Sequence, residues 1–141
     1  MRKIRFRAKR QDTGEWVKSS VMVPICDEND GRVKIFMPDS PSPAHAYADR
    51  EGDIVQLDAR LYRVQEDTIG QFTGEQDLND RDIYEGDIVK HNDKLFVIRY
   101  FDRYSRFAGK RKGAIFTIFV FANSEVVGNI YDNPELMEGR L

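Results

Sequence analysis

The chain has 141 residues, 40% hydrophobic and 33% charged, with 9 Phe, 6 Tyr, one cysteine (Cys26) and a formal net charge of −2. This composition argues against an intrinsically disordered chain, because its apolar residues supply a core and a domain of this length is large enough to bury one. A single cysteine forms no intramolecular disulfide, no stretch approaches the ~20 apolar residues of a membrane span, and no apolar run follows the charged residues 1–10, so we expect a cytoplasmic protein without an export signal.

The charges are segregated along the chain. Residues 1–10 hold six Arg and Lys side chains and no acid, and residues 99–112 hold six with one acid, which gives these segments a net charge of +11. The other 117 residues carry 10 basic and 23 acidic side chains, a net charge of −13. Two basic segments on an acidic body indicate an interaction with an anionic partner or with a second copy.

The first 36 residues read as short strands. Alternation over residues 3–8 predicts a half-buried strand, residues 12–14 a turn, and Trp16 the start of a second strand. Lys3, Arg5 and Arg7 share one face of the first strand, where they either line a binding surface or protect a sheet edge. We favour edge protection. Residues 37–50 contain three of the five prolines and are predicted to form an exposed loop.

An internal repeat is the most informative feature. Residues 51–64 recur 34 positions later as residues 85–98, with five identical residues, Glu-Gly-Asp-Ile-Val, at the start of each copy. Gly permits a turn, Ile-Val begins a strand, a polar turn comes next, and a Leu-aromatic-X-aliphatic run forms the return strand. Each copy is therefore predicted to be a β-hairpin, and two hairpins with their neighbours indicate a small barrel or sandwich.

The C-terminal third holds the longest apolar runs. Residues 95–101 and 114–122 flank the basic stretch 102–113, which predicts one long hairpin with residues 109–113 at its tip. Asn133 followed by Pro134 predicts one short terminal helix.

The basic stretch is the best functional candidate, since it combines charges that neutralise phosphates with rings on which bases stack. Alternatively, some rings belong to the core, and the cations are solvated or dock on another protein copy. The candidate nucleic-acid or partner-binding residues are Arg99, Arg103, Tyr104, Arg106, Phe107, Lys110, Arg111 and Lys112.

The sequence contains little that indicates a catalytic or metal-binding site. His45 and His91 are the only histidines, Cys26 is distant from both in sequence, and no nucleophile elbow, phosphate loop or two-His metal spacing occurs. The acidic stretch from Asp77 to Asp82 lacks the glycine of a calcium loop, and the Glu-Gly-Asp motif is explained as a turn. We therefore expect no enzyme, no metal and no cofactor.

Three stretches together resemble the YopX family, small proteins encoded by phages and prophages of Gram-positive bacteria. These stretches are Met1–Ala8, the block from Gln71 to Val89, and Gly128–Leu136. The resemblance implies an all-β fold related to SH3-type barrels, residence in the host cytoplasm, and no catalytic residues. The chain departs from the family at Asp80, where the turn usually has Gly, and its first repeat copy is the less typical one.

These observations predict one domain over residues 1–141, either as a single SH3-like barrel or as two lobes, 1–70 and 71–141. The leading functional hypothesis is a non-enzymatic phage accessory protein that binds a host or phage macromolecule and self-associates. The alternative is nucleic-acid binding through residues 99–112. An enzyme assembled from distant residues is the weakest of the three hypotheses.

Overall fold

The computed structural model describes residues 3–38, 45–48, 50–51, 54–58, 60–116 and 123–140. Strands dominate this part of the chain, and its helical stretches are short 3-10 turns at Glu66–Thr68, Asp102–Tyr104 and Pro134–Met137. The all-β prediction is confirmed. The chain divides into an N-terminal unit, Arg5–Ile69, and a C-terminal unit, Met1–Ile4 with Gly70–Leu141.

The described strands of the N-terminal unit are short and antiparallel. β1 pairs with β2, β4 lies between β3 and β7, and β5 pairs with β6. Their bounds are Phe6–Lys9 (β1), Trp16–Ser19 (β2), Val23–Cys26 (β3), Val33–Pro38 (β4), His45–Ala48 (β5), Ile54–Asp58 (β6) and Leu61–Arg63 (β7).

The core of the N-terminal unit is small, and the opposite face of its first hairpin carries a stacked cation. Ala8, Val17, Met37 and Val64 are buried together. Arg7, which alternates with the inward-facing residues of β1, places its guanidinium 4.6 Å from the Trp16 ring centre. A cation over an indole face is stabilising, so this arginine serves the fold.

The predicted loop 37–50 is wrong in part. β4 continues to Pro38, and β5 occupies His45–Ala48 within the predicted loop. Proline is tolerated in strands at positions that donate no ladder hydrogen bond, so the proline content of this segment did not exclude strands at its ends. Residues 39–44 and 49 lie outside the described part of the chain.

The C-terminal unit contains a five-stranded antiparallel sheet in the order β13-β12-β11-β10-β14, together with the pair β8–β9. Within the described residues this sheet is open, with β13 and β14 at its edges, so the barrel prediction is wrong although the all-β class holds. The strands are Gly70–Gln76 (β8), Asp82–Tyr84 (β9), Asp87–His91 (β10), Lys94–Phe101 (β11), Arg106–Arg111 (β12), Ala114–Phe116 (β13) and Glu125–Asn129 (β14).

The middle parts of β10 and β11 are buried on both faces. One face joins Phe96, Ile98 and Phe107 in a core cluster with residues of β9, β10 and β14. The opposite face packs Ile88 and Val97 against Met137 of the last 3-10 turn. Residues 95–98 therefore form a continuous apolar run, because both sides of the strand face apolar neighbours.

The two repeat copies differ in structure. The second copy is a hairpin, as predicted: β10 pairs with β11, and Asn92 and Asp93 in the turn have φ of 49° and 62°. The first copy corrects the prediction, since its strands β6 and β7 belong to different sheets and pair with β5 and β4.

The basic stretch also differs from the single long hairpin that we predicted. Residues Arg106–Arg111 form β12, which pairs with β11 on one side and with β13 on the other. The short turn Asp102–Tyr104 joins β11 to β12. The basic stretch is thus an inner strand of the sheet, and residues 117–122 of the predicted return strand lie outside the described residues.

The terminal helix is a single 3-10 turn, Pro134–Met137. Asn133 precedes it, as predicted, but its side chain makes no capping hydrogen bond to that turn. Its Oδ1 instead accepts the backbone N–H of Asn129 at 3.2 Å. The residue therefore stabilises the end of β14.

Candidate anion-binding surface

The hairpin of β11 and β12 places three cations on one face. Its register pairs Phe101 with Arg106, Arg99 with Ala108, and Val97 with Lys110. Since paired residues of antiparallel strands share a face, Arg106, Arg99 and Lys110 point the same way. They are named here the cation row.

The cation row is open to solvent. Arg106 and Lys110 are exposed and Arg99 is half-buried. A two-residue step along a strand is about 7 Å, so the row spans about 14 Å along β12. Val97 and Ala108, which lie beside the cation row on the same face, are buried. The row therefore lies on a rigid, well-packed part of the backbone.

No acid within the described residues neutralises the row. Arg10, Lys34 and Lys90 form ion pairs in this part of the chain, whereas no member of the row does so. Exposed like charges that share one face repel one another unless an anion intervenes.

The aromatic candidates separate into two groups. Tyr104 lies in the turn between β11 and β12 with 51% of its surface exposed, and Arg103 Cζ lies 5.8 Å from its ring centre. Phe107 is only 7% exposed and belongs to the core, and it meets Tyr100 edge-on with ring centres 5.1 Å apart. Tyr104 is thus available to a ligand, whereas Phe107 is not.

Arg111 and Lys112 lie at the far end of β12, beside a cleft of about 420 Å³ that we name the terminal cleft. Lys112 N–H donates to Arg140 O at 2.6 Å. The cleft is lined by Lys90, Asp93, Lys94, Leu95, Arg111 and Arg140. Our sequence-based candidates included only one of these residues, Arg111. The two lysines belong to the second repeat copy and Arg140 is 29 residues further on from Arg111 in the sequence, so only the fold brings them together.

Asp77, the first residue of the stretch considered for calcium, is committed to the backbone. Its Oδ1 accepts N–H bonds from Asn79 at 2.8 Å and Arg81 at 2.9 Å, and its Oδ2 accepts one from Val126 at 2.9 Å. Burial alone would raise the pKa of Asp77, but the backbone N–H donors of Val126, Arg81 and Asn79 outweigh it and hold the pKa below its ordinary value. The carboxylate therefore pins a loop to β14.

The second Glu-Gly-Asp motif is likewise structural. Asp87 is 2% exposed, and its Oδ2 accepts the N–H of Tyr84 at 2.8 Å. Gly86 has a φ of 90°, and its carbonyl accepts the N–H of Ile130 at 3.0 Å. A Cβ added at Gly86 would lie 2.9 Å from Cε2 of Tyr131. The turn thus needs glycine both for its conformation and for space.

These contacts join two of the sequence blocks that carry the family resemblance. Gly86 belongs to the block Gln71–Val89, and Ile130 and Tyr131 belong to Gly128–Leu136. Within the first block, Thr73 Oγ1 also donates to Ile83 O at 2.8 Å. These two blocks of the resemblance therefore contain residues that hold the C-terminal unit together.

Comparisons with known proteins agree with this fold. The crystal structure of protein EF1440 from Enterococcus faecalis matches with a TM-score of 0.57 and 24% identity, over 97% of this chain and 99% of that chain. At this identity the likeness shows the fold alone. A comparison with curated proteins finds no match, and no helix in the described part of the chain has the length and apolarity to span a membrane. The family model described as YopX protein matches residues 5–138, and the chain therefore belongs to the YopX family.

Proposed function

We propose that this protein is a non-enzymatic binding module of a phage or prophage, active in the cytoplasm of the host, and that it holds a nucleic acid on the cation row. The single observation that supports this most is the row itself: Arg106, Arg99 and Lys110 on one face of one hairpin, with no acidic partner among the described residues.

Release of counterions from a nucleic acid supports this proposal. A row of cations that displaces the counterions of a phosphate backbone gains affinity without reading sequence. Three cations on rigid strands lose little conformational freedom of the backbone when a polyanion binds. We therefore expect binding that is sensitive to salt and tolerant of sequence.

Tyr104 adds a stacking surface to this proposal. Its ring is half-exposed at the end of the hairpin, and Arg103 lies beside it. Base-aromatic stacking contributes about 1–3 kcal/mol per base, so Tyr104→Ala should weaken binding of a single strand about tenfold. The same change should leave binding of duplex DNA nearly unchanged, because its bases are already stacked.

The experiment is a fluorescence-anisotropy titration of the full chain with single-stranded and double-stranded oligonucleotides at several salt concentrations. The triple variant Arg99→Gln, Arg106→Gln, Lys110→Gln should lose affinity and flatten the dependence of log K on log salt by about 2 for a single strand. Absence of binding at low salt would refute the proposal.

The matched control is a triple variant in the N-terminal unit that removes the same number of positive charges. Arg32, Arg60 and Arg63 are exposed cations of the N-terminal unit, so their triple replacement by Gln tests the effect of net charge alone. Equal losses for both triple variants would show that overall charge, and not the cation row, governs binding.

A second candidate function is self-association through charge. It is supported by an acidic loop with an exposed apolar side chain: Leu78 is 56% exposed, and the exposed or half-exposed acids Asp80 and Asp82 are close to it in sequence. Sedimentation velocity at low and high salt tests this candidate. An electrostatic dimer should dissociate as salt rises, and a species whose size does not change with salt would refute this mode of association.

A further inference from the structure

The terminal cleft is a second cationic feature, at the opposite end of β12 from Tyr104. Lys90, Lys94, Arg111 and Arg140 bring four positive charges to it. Asp93 is the only acid among the lining residues that the structure describes, and it is 98% exposed with its Oδ1 3.9 Å from Lys90 Nζ. A solvent-exposed pair at this distance neutralises little charge, so the cleft keeps an excess of positive charge.

Arg111 provides the strongest structural indication of an anion-binding site. Its Nη1 is buried and has no hydrogen-bond partner among the described residues. Its Cζ lies 5.7 Å from the ring centre of Phe96, a contact that restricts the guanidinium. A buried N–H donor without an acceptor is costly. Arg111 lines the cleft, so an anion bound there would accept hydrogen bonds from the same guanidinium group.

The other arginine of the cleft is already fixed in place. Arg140 Nη1 donates to Leu136 O at 2.8 Å, and Arg140 O accepts the Lys112 N–H at 2.6 Å. These bonds hold the last turn of the chain against the end of β12. Two restrained guanidinium groups and two lysines thus form a preorganised set of donors, which reduces the entropy lost on binding.

The chemistry of this set selects a phosphate group. Two arginines offer planar forks of donors, and lysines add point charges, which suits a dianion with several acceptor oxygens better than a single carboxylate. Among the described lining residues Leu95 is the only apolar one, and none of them has a ring on which a base would stack. Recognition therefore rests on the anion and not on a base.

We propose that the terminal cleft binds a phosphate group, either free inorganic phosphate or a phosphomonoester. This inference goes beyond nucleic-acid binding by the cation row and does not depend on it. The site uses different side chains and holds one phosphate in a cleft, whereas the cation row follows a polymer across an open face.

The test is a ¹H–¹⁵N NMR titration of the full chain with inorganic phosphate at constant ionic strength, with chloride as the reference anion. Saturable shifts of the Lys112 amide and of the Arg111 Nε–H resonance are expected. Shifts that rise linearly without saturation, or equal shifts in added chloride, would overturn the proposal.

Variants locate the site. Arg111→Gln and Lys94→Gln should each weaken phosphate binding, Arg111→Gln by about tenfold because it removes charged hydrogen bonds. Lys94 is exposed, so Lys94→Gln provides a variant whose folding is not in question. Arg106→Gln, on the same strand as Arg111 but in the cation row, is the matched control. Equal weakening by Lys94→Gln and Arg106→Gln would overturn the assignment to the cleft.

Two oligonucleotides that differ only in a 5′-phosphate separate the sources of the group. Tighter binding of the phosphorylated strand, abolished by Lys94→Gln, would identify a strand end as the ligand. Equal binding of both strands, with phosphate binding retained, would identify a free phosphate compound. If the protein binds phosphate but neither oligonucleotide, the function proposed for the cation row is refuted and the phosphate site in the terminal cleft stands.

Discussion

The two copies of Glu-Gly-Asp-Ile-Val begin with the same five residues and then diverge. The second copy forms the hairpin of β10 and β11, whereas the first contributes β6 and β7 to two separate sheets. Five identical residues therefore do not specify a hairpin. The turn residues after the motif and the side chains that pack against it decide the outcome.

The turn is the first difference. Asn92 and Asp93 have positive φ in the second copy, and Asn and Asp tolerate this conformation better than most residues. The corresponding residues of the first copy are Asp58 and Ala59. Alanine gains no local hydrogen bond that would offset a positive φ, so the first copy lacks the chemistry of a tight two-residue turn.

The neighbours are the second difference. The stretch Gly128–Leu136 covers the second copy, since Tyr131 packs against Gly86 and β14 pairs with β10. Asp77 fixes β14 in turn through the Val126 N–H. The Glu-Gly-Asp-Ile-Val motif of the second copy is thus held by neighbouring turns and strands. Three substitutions test which of these contacts contributes most to the free energy of unfolding.

Gly86→Ala should have the largest effect, a loss of about 3 kcal/mol in the free energy of unfolding, because the new Cβ adds both backbone strain and a clash with Tyr131. Urea unfolding followed by circular dichroism measures it. Gly74→Ala is the control, since Gly74 has a φ of 88° but nothing within 4 Å of an added Cβ. Equal losses would show that Tyr131 moves aside at no cost.

Asp77→Asn should cost about 2 kcal/mol near pH 7, because an amide nitrogen does not accept the N–H that Oδ2 accepts now. The pKa of Asp77 is lower in the folded state than in the unfolded state. Its stabilising contribution is therefore fully present above the unfolded pKa of about 3.9 and is lost as the pH falls through the folded pKa. Urea unfolding near pH 7 and at about pH 2 should show the difference between variant and parent shrinking at the lower pH. A difference that stays constant would contradict this role.

Asp93→Ala introduces the residue of the first copy into the turn of the second. It should cost about 1 kcal/mol, because alanine lacks the polar side chain whose local hydrogen bonds help Asp to tolerate the left-handed conformation. Asp93→Gly is the matched change and should instead stabilise the protein by about 0.5 kcal/mol. Thermal or urea unfolding measures both, and destabilisation by Asp93→Gly would show that the Asp93 side chain contributes more than its backbone conformation.

Sequence reasoning succeeded where local chemistry sets the structure. The second hairpin is explained by its apolar runs and polar turn, and the Asp80 turn, where we noted a departure from glycine, has a φ of 60° at that residue. The carboxylates of Asp77 and Asp87 bond to backbone N–H groups of the turns beside them, which agrees with the interpretation of both stretches as turns.

Sequence reasoning failed where pairing between strands distant in sequence determines the structure. Residues 109–113 were predicted to be the tip of a hairpin because a basic run lies between Gly109 and Gly113. A Cβ at Gly109 would lie 3.1 Å from Cβ of Phe96, so this glycine instead makes room inside the sheet. The alternation of exposed Arg106 and buried Phe107 was a usable signal for a strand, but the density of charge obscured it. The terminal cleft had no local signal, because its cations come from three different strands and from Arg140, which follows the last 3-10 turn.

The burial of β10 and β11 on both faces has a consequence for hydrogen exchange. The amides of Val89, Phe96 and Ile98 lie within strands covered by apolar clusters on either side, where solvent reaches them only when the sheet separates. These amides should exchange at the rate set by global unfolding of the C-terminal unit. Their protection then reports the stability of the scaffold on which the cation row is mounted, independently of any ligand.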